Sequence, residues 1–152
     1  MAQESWHKLG KIEVVSGAVA VCDAGAGLKS GCVIELPNGT YEATSHALGR
    51  AYHALYIKHV GVEAQVDEGS VLGQTWSDAA LITIADSATA LGGKEFSEAF
   101  DKAYLAKDLP RRGRMVIDGY AIVYSRTGYD HLWDINPLVT EIGERAGVFI
   151  AF

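Results

Sequence analysis

Short apolar runs rich in Val, Ile, Tyr and Thr, each closed by glycine or asparagine, occupy nearly the whole chain, a pattern that folds as strands rather than helices. Glycine fills 17 of 152 positions and proline three, so the punctuation between runs is turn chemistry. Strands are expected at residues 11–15, 18–22, 32–36, 40–48, 51–60, 81–85, 115–124 and 148–152, with shorter ones at 63–66 and 71–74. The clearest hairpin lies in TYEATSHALGRAYHALYIKHV. There Gly49-Arg50 suits a two-residue turn, because glycine accepts the positive φ of its first position. That register sets Leu48 opposite Ala51 and His46 opposite His53.

One segment breaks the strand pattern. In KEFSEAFDKAYLAK, at residues 94–107, Phe96, Ala99, Phe100, Ala103 and Tyr104 recur at helical spacing. Gly92-Gly93 and Pro110 bracket the segment, and Glu98 and Lys102 form a favourable pair one turn apart. An internal echo joins VAVCDAGAGL, from Val19, to ITIADSATAL, from Ile82; each is an apolar strand closed by an aspartate, Asp23 or Asp86. The fold expected is therefore one α+β, β-rich domain over residues 1–152. Its antiparallel sheets form a sandwich or a partly open barrel, with the amphipathic helix packed on one face.

Thirteen Lys and Arg against nineteen Asp and Glu leave a formal charge of −6, the wrong sign for phosphate-driven nucleic-acid binding or an anionic membrane surface. A neutral or basic partner is expected instead. No apolar run reaches the roughly 18 residues of a membrane-spanning helix. The amino terminus has no basic run before an apolar core, which points to the cytoplasm. Cys22 and Cys32 do not have zinc-knuckle or CxxC spacing and are read as buried thiols, a disulfide being the minority alternative.

The segments VVSGAVAVCDAGAGL, ELPNGTYEA, VDEGSVLG with ITIADSATA, and the terminal GVFIAF together resemble an uncharacterised bacterial family known only as a domain of unknown function. Where that family carries a proline after the first aspartate this chain has Ala24, and where it carries an acidic residue before the last phenylalanine this chain has Ala151. Some small acidic β-rich bacterial proteins of this sort look like immunity proteins, so the resemblance implies neutralisation of a toxin by direct contact.

The residues themselves name no reaction. DAGAGLKSG invites comparison with phosphate-binding loops, but GCVIELPNG after it reads as a strand, not the helix such loops need. His46 and His53, if paired, form two metal ligands where zinc wants three or four. No GxSxG, HExxH or Cys-His spacing supplies a nucleophile. No cofactor is implied. Arg111, Arg112 and Arg114 in PRRGR offer either a grip on an acidic partner or a solubilising loop.

SRTGYDHLWDINP gathers Tyr129, Asp130, His131, Trp133 and Asp134 in what reads as a loop, and GQTWSD adds Trp76 and Asp78. Rigid aromatics with carboxylates beside them suit a protein interface, although Trp133 could instead fold back as a core lid. The function expected is a non-catalytic binding protein, an inhibitor or immunity protein covering a basic toxin or enzyme. Two alternatives are a small-molecule binder or hydrolase with a pocket in the sheet mouth, and a homo-oligomer or homodimer joined along an exposed 148–152 strand.

Overall fold

The computed structural model describes residues 4–24, 27–48, 51–77, 81–88, 98, 100, 102, 111–117 and 119–152. Within them the strands are β1 (Glu4–Val14), β2 (Ala18–Asp23), β3 (Gly27–Glu35), β4 (Gly39–Leu48), β5 (Ala51–His59) and β6 (Gln65–Val66). The rest are β7 (Gly73–Trp76), β8 (Leu81–Asp86), β9 (Arg112–Ile117), β10 (Tyr120–Arg126), β11 (Leu132–Val139) and β12 (Arg145–Ala151). Two antiparallel sheets result. Sheet A has seven strands in the order β1-β4-β5-β12-β11-β6, with β7 also on β11; sheet B has five in the order β3-β2-β8-β10-β9.

Period-two alternation builds the sandwich. Ile12, Tyr41, Leu55, Ile57, Ile135, Val148 and Ile150 from sheet A meet Val19, Val21, Ile34, Ile82, Ile84 and Val123 from sheet B in one buried core. The opposite face of sheet B is also buried, because Ala20, Cys22, Ala85, Met115, Ile122 and Tyr124 pack with Phe100 in a second cluster. Phe100 meets Tyr124 edge-on at 5.7 Å. Most of the helix expected at 94–107 lies outside the described residues; Glu98, Phe100 and Lys102 have helical backbone.

Several expectations change. The strand expected at 115–124 is the hairpin β9-β10, reversing at Gly119 with φ +82°. Asp-Gly is a hairpin signal, and it overrides the apolar run that contains it. The hairpin β4-β5 does pair Leu48 with Ala51, but a bulge between His46 and Ala47 puts His46 opposite Ala54 instead of His53. The 148–152 strand is not an edge: β12 lies between β5 and β11, so homo-oligomerisation by that strand edge is closed off. Strand β3 begins at Gly27, so the glycine-rich segment before it leads into a strand, as the phosphate-loop comparison required it not to. Arg112 donates to Ser45 Oγ at 3.4 Å and Arg114 to the Lys11 carbonyl at 2.8 Å, so two arginines of PRRGR tie sheet B to sheet A.

The echoed strands β2 and β8 are neighbours. Val21 pairs with Ile84, its equivalent in the repeat, so a local two-fold relation passes through that pair. Antiparallel pairing also sends the two aspartates to opposite ends: Asp86 stands beside Val19 and Asp23 beside Ile82. Cys22 packs in the outer cluster of sheet B while Cys32 packs against the central core, so both thiols are free. Burial pushes the Cys22 thiol up to about 11.

Asp86 fastens the sheets. Its Oδ1 accepts the Val15 N–H at 2.8 Å, the Ser16 N–H at 3.1 Å and the Ser16 hydroxyl at 3.0 Å, and its Oδ2 accepts the Ala88 N–H at 2.9 Å. Val15 and Ser16 are the link from sheet A to sheet B. Burial acts to raise the pKa of this carboxyl, but the bonds from Val15, Ala88 and Ser16 outweigh it and hold it below the ordinary carboxylate value. Its contribution to stability is therefore complete above the unfolded-state value of about 3.9 and disappears as the pH falls through the lower folded value. Asp86→Ala is expected to cost about 2–4 kcal/mol at neutral pH in urea unfolding, and to flatten the loss of stability expected of the parent protein as the pH falls below about 4.

Candidate binding face

The segment expected as an aromatic loop keeps Tyr129, Asp130 and His131 outside any strand, but from Leu132 onward it is strand β11, where alternation divides its residues between two environments. Trp133 points inward. It is 4% exposed, its indole N–H donates to Ser77 Oγ at 2.8 Å, and Phe152 meets its ring edge-on at 5.2 Å. Ser77 also receives the His131 N–H at 3.3 Å, and its own N–H donates to the His131 carbonyl at 3.0 Å. Trp133 thus closes one end of the core, and its assignment as a partner contact is corrected: a ring held this way presents no face to a partner.

Its strand neighbours point out. Leu132 and Asp134 align with Trp76 and Gln74 of β7, and Gln74 donates to Asp134 Oδ1 at 2.8 Å. Trp76, Leu132 and Tyr129 are 40%, 42% and 58% exposed. Tyr129 leans on Trp133 at 5.1 Å and His131 does so at 4.7 Å, so the buried indole props up exposed rings. Of the residues expected at a site, Tyr129, Asp130, His131, Asp134 and Trp76 are all exposed, Trp76 and Asp134 on the outer face of β7 and β11 and Tyr129 and His131 against Trp133 in the segment before β11. Asp78 lies outside the described residues.

A second aromatic group stands on the same outer face of sheet A. Because Tyr41, Ala43, Leu55, Ile57, Val148 and Ile150 face the core, their neighbours Glu42, Thr44, His46, Tyr56, Lys58 and Phe149 face away from it. Trp6 of β1 lies on His46 with ring centroids 3.9 Å apart and planes 6° from parallel, and Tyr56 stands near it at 6.4 Å. Tyr56 in turn stacks with Phe149 at 5.8 Å. Beside them opens a cleft of about 320 Å³ lined by Trp6, Lys8, Glu42, Thr44, Tyr56 and Lys58. Lys8 and Glu42 form an ion pair at 3.4 Å. The sequence reading missed this group because it started the first strand at Lys11, which left Trp6 without a register; the alternation of Thr44 and His46 with core residues was the available signal.

His46 and His53 still approach, with rings 5.4 Å apart, since the bulge that breaks their pairing leaves them on neighbouring strands. No group of three or more metal-ligating side chains forms among the described residues. A larger groove of about 720 Å³ runs beside β6, where Glu63, Asp67 and Glu141 face Lys58. No described helix is long and apolar enough to cross a membrane. No family model matches the chain, and neither a curated protein nor a solved structure is significantly similar to it.

The two kinds of aromatic residue separate in a stability measurement. Trp133→Ala should cost about 3–5 kcal/mol in urea unfolding, as a buried tryptophan does, whereas Tyr129→Ala and Trp76→Ala should each cost less than about 1 kcal/mol.

Proposed function

We propose that the protein is a non-catalytic binding protein that covers a basic surface on a protein partner, as an inhibitor or an immunity protein does. The observation carrying this reading is exposed Trp76 and Leu132 on the paired strands β7 and β11 with Asp134 beside them, and exposed Tyr129 and Asp130 in the segment just before β11. Tyrosine and tryptophan supply large contact area with few rotatable bonds, and such residues dominate interface energetics. The carboxylates, the acid-lined groove beside β6 and a formal charge of −6 favour a cationic partner and speed its approach. The inhibitor role follows from the chemistry of covering: a partner with a cationic cleft loses access to it once rings and carboxylates seat there. The family resemblance points the same way.

The test is capture by tagged protein, at low and moderate salt, from cells in which a basic partner is expressed. The parent protein should retain one stoichiometric basic protein, more weakly as salt rises. Trp76→Ala and Asp134→Arg should each weaken the complex by at least about 30-fold, equal to about 2 kcal/mol, with urea midpoints close to the parent's. Equal capture by parent and variants would remove this surface from the interface, and no stoichiometric partner at either salt would remove the function.

A further inference from the structure

We propose that the cleft between Trp6 and Tyr56 binds a neutral pyranose sugar, a ligand separate from the protein partner at the other end of the sheet. Trp6 is 58% exposed although one face of its ring is covered by His46, so the opposite face is a bare apolar plate. The parallel stack on His46 holds that plate in place before any ligand arrives, which lowers the cost of ordering it. Tyr56 rises beside it with its plane inclined at 63°, making a wall to the plate's floor. The cleft they share, about 320 Å³, is at the lower end of the range of small-ligand sites, the size of a sugar unit or two.

The rim selects the ligand class. Lys8 and Lys58 only donate hydrogen bonds, Glu42 only accepts them, and Thr44 does both. A pyranose ring matches this set: its flat C–H face packs on an aromatic plate, and each hydroxyl around its equator can donate and accept. A cationic side chain would meet both ammonium groups, and a polynucleotide is opposed by the formal charge of −6. Two ammonium groups against one carboxylate make a small anion the competing ligand, which AMP and glucuronate measure in the test below.

Tryptophan emission and amide chemical shifts of the whole protein, titrated with maltotetraose, cellotetraose, laminaritetraose and tetra-N-acetylchitotetraose and with glucose, test the assignment, with AMP and glucuronate as anionic comparisons. At least one neutral sugar should give a saturable response below about 20 mM, with amide shifts confined to β1, β4 and β5. A tetrasaccharide binding much more tightly than glucose would mark a glycan chain as the source, and equal binding a free sugar. Trp6→Ala and Tyr56→Ala should each weaken that response at least about tenfold, while Trp76→Ala and Asp134→Arg leave it unchanged. The assignment is overturned by no saturable response to any neutral sugar, by a response to AMP or glucuronate alone, or by binding that survives both cleft variants. Because the partner surface is read with Trp76 and Asp134, failure of either assignment leaves the other standing.

Discussion

The carboxylate of Asp86 governs the point at which the chain leaves one sheet for the other. Residues 15–17 cross from β1 in sheet A to β2 in sheet B, and residues 36–38 cross back. Asp86 binds the first crossing through Val15 and Ser16, and Asn38 Oδ1 in the second crossing accepts the Gly17 N–H at 2.7 Å. Leu36 N–H adds a bond to the Gly17 carbonyl at 3.0 Å. Backbone groups in a crossing have no strand partner, and left buried and unpaired they would cost free energy comparable to a lost hydrogen bond each. A carboxylate that accepts several of them at once meets that demand with a single side chain. The two sheets are thereby held in the register from which the core and the outer face both follow.

That arrangement makes the faces unequal. Sheet B is apolar on both sides, and its outer side is roofed by Phe100 over Tyr124. Sheet A is apolar toward the core and mixed on its outer side, where Trp6, Tyr56 and Phe149 stand among Lys8, Glu42, Thr44 and Lys58. Aromatic rings left on an open sheet face lose the burial that would favour them, so their presence there agrees better with recognition than with stability. The proposed partner surface and the proposed sugar cleft occupy opposite ends of this one face, on β7-β11 and on β1-β4-β5. Neither needs the sheet to move.

Much of the framework was legible in the sequence because strand alternation is local. Val19 and Val21 toward the core, Tyr41, Ala43 and Ser45 on one face with Glu42, Thr44 and His46 on the other, and the Leu48–Ala51 pairing all follow from a period of two and a turn. Strand β11 was harder, because Asp134, Asn136 and Pro137 look like loop residues. The sheet accommodates them individually. Asp134 points outward to Gln74, Asn136 donates to the Ser70 carbonyl at 2.6 Å, and the Pro137 carbonyl accepts the Asp67 N–H at 2.9 Å. A residue's N and C=O point to the same side of a strand, so the proline's missing N–H faces the gap between β6 and β7, where no ladder bond is lost. The bulge at His46 was likewise invisible, since one extra residue in a strand leaves no mark in composition.

The sequence by itself determined that this chain is built of antiparallel strands, that its surface is acidic and that its cysteines are too few and too far apart for a metal knuckle, because each of these depends on neighbours in the chain or on a sum over it. Only the tertiary structure decided which aromatic residues are available. Trp133 and Trp76 come from equally suggestive segments, yet one is a core residue bonded to Ser77 and the other faces water. Trp6, in a segment with no expected role, lies flat on a histidine 40 residues away in the chain. Exposure and contact belong to the packing of whole sheets, and that packing is set by pairings between distant strands that no local pattern encodes.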